Sequence, residues 1–143
     1  MQIHSRPKHV KSGFTLIEII IAIAIMSFMM AVVAPGVYKW LGFGKVRQTE
    51  ANVKVLQTSI LHFNLDTNGY PQRLEDLVRR PSDERLSAKW RGPYVEGSNI
   101  PDDGWGEPFV YRVKPGAQPP YELYSYGENG PDAPREEWIG VKH

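Results

Sequence analysis

From Phe14 to Val37 the chain is a nearly unbroken run of Ile, Ala, Met, Val and Phe that contains a single charged residue, Glu18. A bilayer core is crossed by a helix of about 20 apolar residues, so this run is long enough to span one. Residues 1–13, in front of it, contain Arg6, Lys8 and Lys11 and no acid. A basic flank of this kind is held on the cytoplasmic side of a membrane. A secretory signal peptide has a shorter apolar region, about 7–15 residues, followed by a small-residue cleavage site. Here Pro35 spoils such a site after Ala34, and the small residue, Gly13, stands before the run. Glu18 is the anomaly. A charge at mid-membrane costs roughly 2.5–3.5 kcal/mol on insertion scales, so its presence marks either a function or a carboxylate that reaches back to the headgroups.

Pro35-Gly36, with Gly42 and Gly44 beyond, predicts a kink or a locally unwound stretch, because proline removes a backbone donor and crowds the preceding turn. Helical pattern resumes from Lys45 to Leu65. Val46, Val53, Leu56, Ile60 and Phe63 form the stripe of an amphipathic helix, with Gln48, Asn52, Lys54 and Thr58 off it. The stripe reads as head core in preference to a partner surface. Asn68-Gly69-Tyr70-Pro71 ends the helix. A short helix is expected over 72–79, with Leu74, Leu77 and Val78 on its apolar side, then a polar loop over 81–87. Trp90-Arg91-Gly92-Pro93-Tyr94 reads as a turn, and Asp102-Asp103-Gly104-Trp105-Gly106 as another, with the paired acids serving turn geometry. Strands over 109–113 and 121–126 are expected to pair as a hairpin. From Gly127 onward little pattern is visible.

Composition excludes several classes. The chain has no cysteine, which rules out disulfides and cysteine-ligated zinc. The four histidines, His4, His9, His62 and His143, are scattered, and His62 has no partner one helical turn away. Net charge is +1, with the excess positive charge in the leader, so the head offers no basic surface for nucleic acid. Trp90, Tyr94, Trp105 and Phe109 therefore read as anchors of a small core, not as a stacking platform for bases. No nucleophile–base spacing suggests an enzyme.

Gly13 followed by Phe14-Thr15-Leu16-Ile17-Glu18 and an apolar helix resembles the prepilin N-termini of the type IV pilin superfamily. In the head, Asp66-Thr67-Asn68-Gly69-Tyr70-Pro71, Trp90-Arg91-Gly92-Pro93-Tyr94, Asp103-Gly104-Trp105-Gly106-Glu107-Pro108-Phe109 and Tyr124-Ser125-Tyr126-Gly127-Glu128-Asn129-Gly130 follow in order. These are similar to the head of the major pseudopilin, or G-type subunit, of type II secretion systems. The resemblance covers the chain from Gly13 to about Gly130. It implies an α+β, pilin-like fold: a long N-terminal helix, membrane-spanning in its first half and amphipathic in its second, packed on a small antiparallel sheet. Residues 1–13 would be the leader, 14–37 the transmembrane and filament-core helix, and 38–143 a periplasmic head including the second half of the long helix.

The same resemblance implies cleavage after Gly13 by a prepilin peptidase, N-methylation of the new N-terminal Phe14, and an assembly role for Glu18. The chain would be a structural subunit, not an enzyme, sitting once through the inner membrane with its N-terminus cytoplasmic. It would polymerise with itself into a pseudopilus that supports export of folded proteins, meeting minor pseudopilins and an inner-membrane assembly platform. A type IV pilin of a surface fibre is the alternative, and a membrane-anchored periplasmic enzyme a more distant one. The α-amino group made at Phe14 would be the natural partner for a Glu18 buried in a filament.

Calcium is also implied by the resemblance, since the family binds it in the loop after the last strand. By position, the carbonyl of Tyr126 and the side chain of Asn129 match the first ligands, and Glu136 and Glu137 later ones, with Asp132 another candidate. Oxygen-rich loops suit this hard cation. This sequence departs from the pattern, however. Asn129 is neutral, Glu is longer than Asp, and Pro131 and Pro134 reshape the loop. A calcium loop and a solvated acidic tail without metal both remain open at this point.

Overall fold

A computed structural model describes residues 13–143. The expectation of a leader therefore falls, apart from Gly13, outside the described residues. The chain divides into two compact units, the first ending at Lys39 and the second spanning Trp40–His143.

Helix α1 runs Leu16–Thr67 with Pro35 inside it. The residues from Pro35 to Gly44 are all helical, so the unwound stretch that was one of the two expectations there is absent. Proline deletes one backbone donor, and the hydrogen bonds of the neighbouring turns carry the ladder past it. In the first unit the helix is apolar all round and its large side chains are exposed, with Phe28 at 72% and Met30 at 73%. A helix of this kind keeps its backbone bonds internal and leaves its side chains to an apolar surrounding.

In the second unit α1 is amphipathic as expected. Val53, Leu56, Ile60 and Phe63 are buried, the last three fully. They form a core cluster with Leu74, Leu77, Val95, Phe109, Tyr121 and Leu123. Fully burying such a side chain contributes about 1.5–3 kcal/mol each. Thr49 and Thr67 extend the same stripe at helical spacing and are also buried. Their hydroxyls donate to the carbonyls of Lys45 and Phe63, each at 2.8 Å, which satisfies the polar atom without interrupting the face.

Beyond α1 the expected short helix contracts to a 3-10 turn, Leu74–Leu77. The buried Asp76 carboxylate accepts from the backbone of Gln72 and Arg73, at 3.0 and 3.2 Å, and so sets the start of the turn at Leu74, two residues later than expected. The segment read as polar loop contains helix α2, Glu84–Lys89. Asp83 caps it by accepting from the amides of Arg85 and Leu86, at 2.9 and 3.1 Å. Trp90 and Tyr94 anchor the core as expected. The Trp90 indole donates to the Asp76 carbonyl at 2.9 Å, and Tyr94 packs edge-on against Phe63. Trp105 does not join them. It is half-exposed, and its backbone amide serves the Asp103 turn.

Strands β1, Val110–Val113, and β2, Tyr121–Ser125, form the expected hairpin, with Val110 opposite Tyr124 and Val113 opposite Tyr121. A third strand, β3, Ile139–Val141, pairs antiparallel on the other edge of β2. The sequence reading missed it, since three residues show no alternation. All five residues of β2 are buried, because the final segment covers what would otherwise be its solvent face. Trp138 stacks on Tyr124 at 4.8 Å between centroids.

Candidate functional site: the Gly13–Phe14 junction and the C-terminal loop

Gly13, Phe14 and Thr15 precede the first helical residue, Leu16. Among the described residues, no atom lies within 4 Å of the place a Gly13 side chain would occupy, and Phe14 is 81% exposed. A peptide bond in such a position is open to an enzyme acting from outside. The helix starts here because Thr15 caps it: the Glu18 amide donates to Thr15 Oγ1 at 3.3 Å. Thr15 and Glu18 stand in the S/T-x-x-E spacing of a capping box, a signal that was present in the sequence and was passed over. Glu18 is exposed in the first turn of α1, where the helix dipole favours a carboxylate. Its charge is therefore placed where the helix tolerates it before any partner is met.

The second candidate region is the loop from Tyr126 to Glu137. Gly127 and Gly130 have positive φ, of 74° and 71°. They feed two 3-10 turns, Gly130–Asp132 and Arg135–Glu137. Of the five residues expected to hold calcium, the structure brings together two. The Asn129 amide donates to Glu137 Oε2 at 2.8 Å. Asp132 and Glu136 are exposed and join neither. Calcium takes about six to eight oxygens at about 2.3–2.6 Å. Here the amide nitrogen of Asn129, not an oxygen, faces the Glu137 carboxylate. Among the described residues, no group of three His, Asp or Glu side chains is placed to hold an ion. As placed here, these side chains do not converge into a calcium-ligating set.

The same loop instead contains cations of the chain itself. Lys142 Nζ donates to the carbonyls of Arg135, Glu136 and Trp138, at 2.5, 3.2 and 2.6 Å. Arg135 donates to Glu122 Oε1 at 2.9 Å and also to the backbone oxygen of His143. Glu122 also accepts from Lys114 Nζ at 3.0 Å and from the His143 amide at 3.1 Å. These donors, Lys114 first and the His143 amide second, hold the Glu122 carboxyl below its ordinary range. Neither Lys142 nor Arg135 carried a local signal in the sequence.

An apolar helix opened by a Gly-Phe junction, attached to a head of one helix half and a three-stranded antiparallel sheet, defines a pilin-like protein. Comparison with known proteins narrows the class. Residues 8–34 match the family model of the prokaryotic N-terminal methylation motif, and residues 37–140 that of type II secretion system protein G. The type II secretion system core protein G of Pseudomonas aeruginosa is 34% identical over 124 residues, 84% of this chain and 85% of the relative. That of Xanthomonas campestris is 33% identical over 120 residues, 84% of this chain and 80% of the relative. The crystal structure of the major pseudopilin from the type 2 secretion system of enterohaemorrhagic Escherichia coli superposes with a TM-score of 0.55 at 25% identity. It covers 67% of this chain and 84% of that one. The chain belongs to the type II secretion system protein G family.

Proposed function

We propose that this chain is a structural subunit of a type II secretion pseudopilus, anchored by its N-terminal helix and polymerised through it. One observation carries the reading. The large side chains of α1 as far as Val37 are exposed, on a protein that otherwise belongs to the protein G family. Lipid can cover those side chains in the precursor, and the same helices of neighbouring subunits can cover them in a filament. Lipid tails are as apolar as isoleucine, so moving between the two gains little from hydrophobicity alone. Packing and polar pairing must supply the difference.

Glu18 supplies the polar pairing. Cleavage after Gly13 creates an α-amino group on Phe14, which methylation leaves cationic. A carboxylate withdrawn from the membrane edge into a filament core needs such a partner. Processing is then a condition for assembly as well as a trimming step. The basic leader keeps the N-terminus cytoplasmic, with α1 in the inner membrane and the head in the periplasm. A prepilin peptidase, minor pseudopilins and an inner-membrane platform complete the set of partners. The chemistry at Gly13–Phe14 belongs to the peptidase, and the subunit itself is assigned no catalytic step.

The test is an intact mass after co-expression with a prepilin peptidase, followed by electron microscopy of the overexpressed protein. A mass of residues 14–143 plus one methyl group, together with filaments, is the expected result. An uncut precursor would remove the assignment of Gly13, and a cut, methylated protein that forms no filaments would remove polymerisation.

A further inference from the structure

The C-terminal loop presents a set of converging carbonyls, and a side chain already lies on it. At the end of the turn Arg135–Glu137 the Arg135 carbonyl accepts from the Trp138 amide at 3.3 Å and keeps a second lone pair, and a helical end leaves its last carbonyls short of amide partners. Lys142 follows β3 and returns across this end, half-buried, with its ammonium on the carbonyls of Arg135, Glu136 and Trp138. An ammonium has three donors and no acceptor, so three carbonyls use its full capacity. The loop is tied at neighbouring points. The Trp138 indole donates to the Ala133 carbonyl at 3.2 Å, and the Arg135 guanidinium lies 5.7 Å from the Trp138 ring centre while pairing with Glu122.

We infer that the Lys142 ammonium, not a divalent cation, orders the C-terminal loop of this chain, so that the head keeps its native fold without calcium. Two separate observations meet here. Of the residues expected to ligate calcium, Asn129 and Glu137 are bonded to each other, and Asp132 and Glu136 are exposed and apart from them. The carbonyls that a cation could draw together are held by a cation that is covalently part of the chain. A tethered ammonium sits at a high effective concentration that does not vary with the medium. Loop order would then be independent of divalent ion supply. The inference does not depend on filament formation, and its test reads the fold alone.

The experiment follows thermal unfolding of the full chain in detergent by near-ultraviolet circular dichroism, whose aromatic signal from the folded head includes the Tyr124–Trp138 stack. Wild type, Lys142→Met and Lys142→Arg are compared in EDTA and in about 10 mM calcium chloride, above the roughly 0.1–1 mM dissociation constants of weak extracellular calcium modules. The expected result is a wild-type Tm unchanged between the two media. Lys142→Met should melt lower in both, with the folded-to-unfolded ratio reduced about tenfold, and Lys142→Arg should fall between. A bound ion at about a hundred times its dissociation constant would raise that ratio about a hundredfold. A wild-type Tm that rises with calcium would therefore overturn the inference, as would Lys142→Met melting with wild type. Should Lys142→Met fail to fold, wild type alone still decides. Terbium emission excited through Trp138 and displaced by calcium would show a metal in the loop, and its absence would support the ammonium.

Discussion

Asp103 ties the turn after the helix–loop region to the sheet by accepting the hydroxyl hydrogen of Ser125, a residue fully buried in β2. The same carboxylate accepts from the amides of Trp105 and Glu107, both at 2.9 Å. Next to it, the Gly104 amide donates to Thr49 Oγ1 of α1 at 2.9 Å. One buried acid thus organises the point where helix, turn and sheet meet.

Asp103→Ala should be among the most damaging head substitutions. It strands three donors, and each unsatisfied buried group costs about 1–3 kcal/mol. Asp103→Asn keeps an acceptor for the turn amides and should cost less than half as much. Ser125→Ala, losing one donor and the acceptor for the Gly127 amide, should fall between. Chemical denaturation of the three variants checks this order.

Gly140 should tolerate no side chain. Its φ is +139°, and a Cβ there would stand 2.2 Å from the Leu123 carbonyl oxygen and 2.8 Å from the Tyr124 Cα. Backbone conformations of this kind cost a non-glycine residue about 1–3 kcal/mol before any clash is counted. Gly140→Ala should release β3 from β2, seen as lost amide-exchange protection at Ile139 and Val141 while β1–β2 stays protected.

Glu122 makes stability depend on acid. Its carboxyl lies below the ordinary value of 4.5 in the folded head, because Lys114 and the His143 amide, with Arg135, bind the charged form. A depressed carboxylate contributes stability that is complete above the unfolded value. That contribution is lost as pH falls through the folded value. Wild-type Tm should decline as pH drops below about 4.5, and Glu122→Gln should flatten that part of the decline.

The head should also weaken in alkali. Burial pushes the phenols of Tyr94, Tyr111 and Tyr121 up, Tyr111 the furthest, with its hydroxyl donating to the Pro71 carbonyl at 3.0 Å. These groups hold their protons in the folded chain where the unfolded chain releases them. The stability is complete below about pH 10 and is lost above it. Absorbance titration should show part of the seven tyrosines ionising only on unfolding.

Two roles for Glu18 can be separated by charge. A capping box accepts Gln as readily as Glu, whereas pairing with an α-amino group needs the carboxylate. Glu18→Gln should keep the helix start yet fail to form filaments. Thr15→Ala should weaken the first turn by about 1 kcal/mol and leave assembly largely intact. Filament counts by electron microscopy, with processing confirmed by mass, distinguish these outcomes. Wild-type filament yield from Glu18→Gln would remove the pairing role.

Local chemistry made much of the head legible. The Val53–Phe63 stripe, the Asp103 turn and the β1–β2 hairpin repeat patterns that can be read within a few residues. Helix α2 was missed although Asp83 is a good cap, because its six residues show no apolar stripe. Pro35 does not unwind the helix, since a proline is a local penalty and the ladder on either side decides whether it is borne. Trp105 reads as a core anchor in the sequence because no basic surface accompanies the aromatics, and its half-exposed place beside the Asp103 turn is a tertiary matter.

The sequence by itself determined the long apolar helix, its Gly13–Phe14 junction, the lone acid Glu18 and the class of protein that carries them. Each of these follows from residue type and spacing along one stretch of chain. Only the tertiary structure decided the C-terminal end. Whether Asn129, Glu136 and Glu137 converge on an ion, or Lys142 closes over the turn, depends on β3 pairing with β2 and bringing residue 142 back across residues 135–138. That return is a contact between segments with no local signature, so the resemblance left a metal loop and a metal-free tail both open, and the place of Lys142 could not be read from either.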